Sequence, residues 1–256
     1  MKGSWQSHTH RYRRLSIVLL ALTIVAGFTL HDYYSWQNQS AQAESANQLS
    51  VDEVRNSDEL ELAIDALEDL EVRPRDSRDG YSRETFSPEG WTTIAGCDMR
   101  NRILQRDLVE LEIDEDGCVV ESGALENGPF TGDRIEFERG PETSQDIHIE
   151  HIVAVSDAWQ KGAQDLSAEE RHDFFNDPLN LIAIDGPINM EKGDSDAGEW
   201  MPPNESYHCR YIARQIAIKQ EHSLWLDESE HRQMQHTLST CPEQPLPIQE
   251  LNEPSF

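Results

Sequence analysis

Residues 148–151 read HIEH, two histidines and a carboxylate within four positions, and an apolar run follows at once. On a strand successive side chains alternate faces, so His148 and Glu150 share one face. His151 follows where the strand would end and is expected to turn back toward the same cavity. A carboxylate supplies the oxygen donor that a hard divalent cation takes. An imidazole left unliganded can take a proton from water near neutral pH. Together they suit metal-assisted hydrolysis. A zinc peptidase fits less well, because neither H-E-x-x-H nor H-x-x-E-H occurs in this region and HIEH spaces its histidines wrongly for one helical face.

The flanking sequence supplies the elements that must hold these groups. IHIEHIVAVSDAW reads as a strand running into a loop and helix, DPLNLIAID as another short strand, and GPINMEKGD as a turn followed by a helix. Between them LSAEERHDFF starts a helix, with Ser167 and Glu170 spaced as a capping box. Upstream, CDMRNRILQRDL predicts a short helix, and CVVESG and DRIEFERG the strands of a hairpin-like pair. Downstream, SYHCRYIARQIAIKQEHSLW predicts a long helix with Tyr211, Ile212, Ile216 and Ile218 inward. DESEHRQMQHTL predicts a last helix, capped by Asp227 with Glu230 in the box position. In SDELELAIDALEDL (57–70), Leu60, Ile64 and Leu67 recur at helical spacing and predict an acidic amphipathic helix. The Pro-rich tail after Cys241 reads as loose.

Composition sets the compartment and the difficulty. With 256 residues, 37% of them hydrophobic, the chain can bury a sizeable core. Lys2, Arg11, Arg13 and Arg14 precede the apolar segment LSIVLLALTIVAGFTL with no acidic residue before it, an export signature. Ala41-Gln42-Ala43 offers a cleavage site, though far from the apolar run. An uncleaved anchor is the alternative, with Tyr33, Tyr34 and Trp36 at the far interface and the rest of the chain outside. Cys97, Cys118, Cys209 and Cys241 agree with an oxidising compartment. Three pairings are open; Cys97–Cys118 with Cys209–Cys241 is favoured because each links neighbours along the chain. The absence of any C-x-x-C argues against a zinc site. The formal net charge is -28, and such acidity repels phosphate backbones at long range. Much of it is local: from Glu44 to Glu71 ten residues are acidic and only Arg55 is basic. Arg210, Arg214 and Lys219 on the long helix, beside His208, could form a basic strip for nucleic acid. Trp159, Trp200 and Trp225 could stack on bases, but such spacing in a small domain usually means core.

The downstream residues add a resemblance. Glu150-His151-Ile152-Val153 is similar to the D-H-I-V of the HNH (His-metal finger) endonucleases, and the likeness continues through Asn180 in DPLNL to Asn189 and Lys192 in NMEKGD. More narrowly, AW-x-x-GA at 158–163, NDPLNL at 176–181, N-x-x-KGD at 189–194, W-x-PP at 200–203, the GCDMRN stretch and both cysteine pairs resemble a secreted branch related to the C-terminal nuclease domain of GmrSD-type restriction enzymes. The match covers roughly residues 79–242. It implies that His151 is the general base and that Glu150 and Asn189 hold one divalent metal; His148 lies outside that motif and reads either as a supporting ligand or phosphate contact or as a plain surface histidine. It implies that Asn180 pins the loop by hydrogen bonds to backbone and that Lys192 touches the phosphate. Two positions depart from the family. Glu150 stands where Asp is usual, so its carboxylate reaches one methylene farther, and Ala154 stands where many members have Pro.

These readings converge on an α+β fold, a ββα-metal (HNH) finger embedded in a mainly helical, disulfide-braced domain. Residues 1–43 are expected to be the export signal or anchor with its tether, 44–78 an acidic helical segment and linker, 79–242 the nuclease domain, and 243–256 a flexible tail. The expected activity is hydrolysis of phosphodiester bonds in DNA, or in RNA, with little sequence specificity. The expected cofactor is Mg or Mn, with Zn and Ca as alternatives. The chain is expected to be monomeric, extracellular or tethered to the outer face of the membrane, and to touch the membrane only through its N-terminal segment. A catalytically degenerate surface binding module is the alternative.

Overall fold

The computed structural model describes residues 61–247; the export segment, the tether, Leu60 and the end of the tail lie outside the described residues. In chain order the elements are α1 (Ala63–Asp69), β1 (Thr93–Ile94), β2 (Cys97–Asp98), α2 (Met99–Asp107), β3 (Val109–Ile113), β4 (Val120–Leu125), β5 (Ile135–Glu138), β6 (Ile147–His151), α3 (Val155–Ala158), α4 (Ala168–Asn176), β7 (Leu181–Asp185), α5 (Gly186–Lys192), α6 (His208–Glu221) and α7 (Glu228–Leu238). The fold is mixed α and β with small sheets: β1 pairs with β2, β3-β4-β5 form an antiparallel sheet, and β6 pairs antiparallel with β7. Among the described residues no helix is long and apolar enough to cross a membrane.

The periodic segments fold as their patterns predict. Tyr211, Ile212, Ile216 and Ile218 are the buried face of α6. Ser167 and Glu170 close the reciprocal capping box of α4. Strand β3, VELEI, has no counterpart in the sequence reading, because it is an edge strand whose side chains are almost all exposed and no apolar face marks it. Helix α1 is shorter than the predicted 57–70 stretch. It buries Ala63, Ala66 and Leu67, with Ile64 at the margin, so small side chains set the contact with α6 and α7. The beginning of the tail is not loose: Ala63 N–H donates to the Gln244 carbonyl at 2.9 Å and Leu246 N–H to the Glu61 carbonyl at 2.8 Å.

The β6–β7 ribbon lies between two hydrophobic cores. Ile147, Ile149, Leu181 and Ala183 pack with Met99, Ile103 and Leu104 of α2, whereas Ile182 and Ile184 join the larger core built on α4, α6 and α7. This two-sided burial explains why β7 reads as a continuous apolar run. Asp185 then caps α5, its carboxylate accepting from the Ile188 amide at 2.9 Å, and Pro187 occupies the first turn. Gly186 is required by close approach, since a Cβ there would stand 2.1 Å from the Gln145 carbonyl oxygen. The strand–strand–helix succession is thereby folded back tightly on itself.

Disulfides Cys97–Cys118 and Cys209–Cys241 close loops of 21 and 32 residues. The first ties β2 to the approach of β4; the second ties α6 to the end of α7. Beneath α3 and α7 lies a buried ionic cluster. The Lys161 ammonium meets Asp157 at 2.9 Å, Glu230 at 2.6 Å and Asp196, and Lys219 meets Glu230 at 2.9 Å. Arg75 closes it from the rim through Asp196 and Asp227. Glu230 therefore turns inward and does not complete a capping box, leaving Asp227 alone to cap α7 by accepting from the Ser229 and Glu230 amides.

Candidate active site

Strand β6 presents its polar residues to α5 as two successive rungs. The Asn189 amide nitrogen lies 3.2 Å from His148 Nδ1, and Lys192 Nζ lies 2.6 Å from Glu150 Oε1. The spacing follows from the two periods: residues two apart on a strand and three apart on a helix each share a face. Gln145 Oε1, 3.2 Å from His148 Nε2, completes the first rung. His148 and Asn189 are half-buried, but Glu150 is only 8% exposed and Lys192 only 1%. Lys192 is thus no free phosphate contact. It neutralises Glu150 and donates to the His151 carbonyl at 3.3 Å.

His151 does not turn back toward this face. Strand β6 continues through it and pairs it with Leu181, so its side chain takes the opposite side from Glu150. The ring is 3% exposed, stacked on Trp91 at 5.7 Å and packed against Phe175 at 4.7 Å. Its Nε2 lies 2.9 Å from the Phe175 carbonyl, which can only accept, so Nε2 carries the proton and Nδ1 keeps its lone pair. Burial, helped by the nearby Arg83 charge, lowers its pKa from 6.5 to about 3. The imidazole is neutral, oriented and shielded.

The loop between α4 and β7 is held by the same logic. Helix α4 ends with carbonyls that have no intrahelical partner. The Phe175 carbonyl takes His151, and the Asn180 amide nitrogen approaches the Phe174 carbonyl at 3.5 Å. Asn180 is fully buried; its Oδ1 accepts from the Val153 amide at 2.9 Å and its backbone carbonyl accepts from the Ile152 amide at 2.8 Å. One asparagine therefore joins the end of α4, the start of β7 and the turn after His151. Arg106 and Arg214 secure the loop from outside by donating to the Pro178 and Leu181 carbonyls.

The expected basic strip on α6 is not formed. Arg214 is spent on those carbonyls, and Lys219 is fully buried in the ionic cluster, because the helix face that carries them is the face packed on the core. Arg210 alone is exposed, with its guanidinium 5.5 Å from the Tyr207 ring. Trp225 is buried, and Trp159 and Trp200 are half-buried against the same core. Sequence reasoning missed Trp91, which covers His151, and it missed Arg100 and Arg139, which line a cleft of about 330 Å³ with His148 and Asn189. The signal for Arg100 was its place in GCDMRN.

Two further carboxylate groups converge elsewhere among the described residues. Asp157, Asp196 and Glu230 surround the Lys161 ammonium, which already supplies their countercharge. Asp177, Glu221 and His222 meet nearer the surface, with His222 Nε2 3.0 Å from Asp177. Neither group includes a residue of the two rungs.

The family described as GmrSD restriction endonucleases, C-terminal domain, matches residues 98–237, more than half of the chain. That span contains α2, the ribbon, α5 and α6. A protein of Arthroderma benhamiae named "Uncharacterized secreted protein" is 34% identical over 178 residues, covering 68% of this chain and 82% of that one. No solved structure matches. The match over residues 98–237 places this chain in the family of the GmrSD restriction endonuclease C-terminal domain.

Proposed function

We propose that the chain is an exported, divalent-metal-dependent endonuclease of the HNH type that hydrolyses phosphodiester bonds in DNA, and in RNA by the same chemistry, with little sequence specificity. The observation that carries this reading is the strand–strand–helix unit, in which Glu150 and His148 face Asn189 and Lys192 while His151 follows at the strand end. We read that unit as a ββα-metal finger.

The donor set suits a hard cation. Asn189 gives its amide N–H to His148, which leaves the amide oxygen for a metal, and Glu150 has a second carboxylate oxygen beyond the one paired to Lys192. Glu150 and Asn189, with His148 beside them, would hold Mg or Mn. When bound, such an ion stabilises charge developing on the leaving oxygen. We assign the proton of the attacking water to His151 Nδ1, the nitrogen its bond to Phe175 leaves open; burial depresses its basicity, so it becomes a competent base only when the site opens to water. Trp91 must swing aside for substrate to reach that atom. Asn180 keeps the turn after His151 in register.

Export is supported by the two disulfides, the basic-then-apolar N-terminus and the naming of the Arthroderma benhamiae relative as a secreted protein. A second reading, a binding module that no longer cleaves, draws on the burial of His151 and the occupation of Glu150 by Lys192. One experiment separates them. Full-length protein is incubated with supercoiled plasmid and Mg or Mn, with and without chelator, beside His151→Ala. Nicking that the chelator and the substitution both abolish is expected. Nicking that survives both removes the mechanism, and a folded wild type that never nicks leaves the binding module.

A further inference from the structure

We infer that Arg100 and Arg139 form a phosphate subsite beside the rungs, which grips the nucleic-acid backbone one position away from the bond that is cut. The inference rests on the nuclease reading for its substrate and on the following geometry for its place.

Both arginines line the cleft that His148, Asn189, Ser144 and Gln145 also line. The cleft lies at the beginning of β6. Glu150 and His151 lie toward the end of that strand, about 7 and 10 Å farther along from His148 at the usual rise per residue. In a chain of formal net charge -28 a surface guanidinium is expected to find a carboxylate. Among the described residues Arg73, Arg75, Arg78, Arg106 and Arg134 do. Arg100 and Arg139 rest on neutral acceptors, as Arg171 and Arg214 do elsewhere, but Arg100 and Arg139 are the arginines that line this cleft. Arg100 Nη2 reaches the Ser144 and Ile147 carbonyls at 3.4 and 3.3 Å, and Arg139 donates to the Val120 carbonyl at 2.8 Å and to Asn101 Oδ1 at 2.7 Å.

The two guanidiniums are also close enough to act on one another. Burial, and after it the charge of Arg139, lower the pKa of Arg100. Two like charges held near each other, with Asp98 acting on Arg100 only through space and no carboxylate in contact with either guanidinium among the described residues, are the electrostatic form of an anion site, and the planar fork of arginine matches phosphate oxygens. Each guanidinium keeps N–H donors that the neutral acceptors do not use. On the far side of Arg139 the sheet face is walled by Glu110, Glu112, Glu121, Glu136 and Glu138. A polyanion is repelled there, so the approach left to it is across His148.

The test uses the full-length chain and a fluorescein-labelled DNA duplex. Binding is read by anisotropy in chelator over a salt series, and cleavage is read separately with Mn. Arg100→Gln and Arg139→Gln are each expected to weaken binding roughly five- to tenfold. Each should reduce the slope of log affinity against log salt by about 1. Arg232→Gln, exposed on α7, is the control for net charge and should leave that slope unchanged. Because both arginines also brace backbone, wild type is treated with phenylglyoxal with and without DNA and the modified peptides are weighed. DNA should shield Arg100 and Arg139 but not Arg232. Unchanged slopes in folded variants, or equal modification with and without DNA, overturn the subsite. If wild type binds and shields these arginines but never cleaves, the subsite stands and the nuclease reading falls. If cleavage depends on His151 while slopes and shielding do not change, the nuclease stands and the subsite falls.

Discussion

The Lys192 ammonium lies 2.6 Å from Glu150 Oε1 and 3.3 Å from the carbonyl of His151, so one buried cation touches both residues of the acid–histidine pair. It occupies the carboxylate that we assign to metal binding. A divalent ion at Glu150 must therefore share that group with Lys192 or move it.

Replacing the lysine separates these effects. Lys192→Met leaves a nearly buried carboxylate without its countercharge, which costs on the order of 3 kcal/mol in metal-free protein. A cation bound to the native state restores stability by mass action. Thermal melts with and without Mn should show a lower Tm for metal-free Lys192→Met and a larger upward shift on adding metal than wild type shows. Equal shifts would mean that Glu150 is not a ligand.

The strand and helix that carry the rungs were legible from their periods once HIEH and NMEK are placed, whereas the pairing of Lys192 with Glu150 was not, because Lys192 was expected to touch phosphate. Local rules likewise gave the capping box at Ser167 and the inward face of α6. What stayed hidden depends on distant residues. Arg100 and Arg139 share a cleft only because α2 and the β5 end converge on the ribbon. Lys219 reads as a solvated cation on a helix, yet the Asp157 and Glu230 carboxylates draw it inward. His151 was misplaced for a local reason: the strand runs one residue longer than its polarity suggested.

Shielding of His151 makes stability depend on pH in a definite window. Its folded pKa, about 3, lies below the unfolded value of 6.5. The unfolded chain therefore takes up a proton first, and stability fully present above about pH 6.5 declines as pH falls toward 3. From pH 7 to pH 5 this one group should remove about 2 kcal/mol. The depressed carboxyl of Asp227 acts in a lower window. Burial opposes its ionisation, but the Ser229 hydroxyl, the Glu230 amide, Lys161 and Arg75 outweigh it, so its contribution is lost only below about pH 4. Urea midpoints at pH 7 and 5 should differ in wild type and nearly coincide in His151→Leu. A persistent difference in the variant would assign the effect to another group.

Lys161 is expected to matter more for folding than any single residue of the rungs. Its ammonium is fully buried among Asp157, Asp196 and Glu230. Lys161→Met strands those carboxylates, and removal of one partner from a buried ionic group costs about 3–5 kcal/mol. Burial already raises the Glu230 pKa, so that group should protonate first when the lysine is gone. Lys161→Met with Glu230→Gln should then melt higher than Lys161→Met alone, a coupling read by a double-mutant cycle. Additive losses would show that the cluster does not act as one unit.

Asn180 offers a test of positioning that does not need activity. Its Oδ1 holds the Val153 amide, whereas the Ile152 amide is held by the Asn180 backbone carbonyl, which no side-chain substitution removes. Asn180→Ala leaves the buried Val153 donor unsatisfied, at a cost of about 2 kcal/mol. For a domain of this size that lowers Tm by roughly 4–8 °C. Amide hydrogen exchange should show Val153 losing protection while Ile152 keeps most of it. If both exchange together, Asn180 holds up the whole α4–β7 loop and is not a pin at one residue. If neither changes, the turn after His151 is held by packing of Ile152 and Val153 in the core, and the asparagine is dispensable to it.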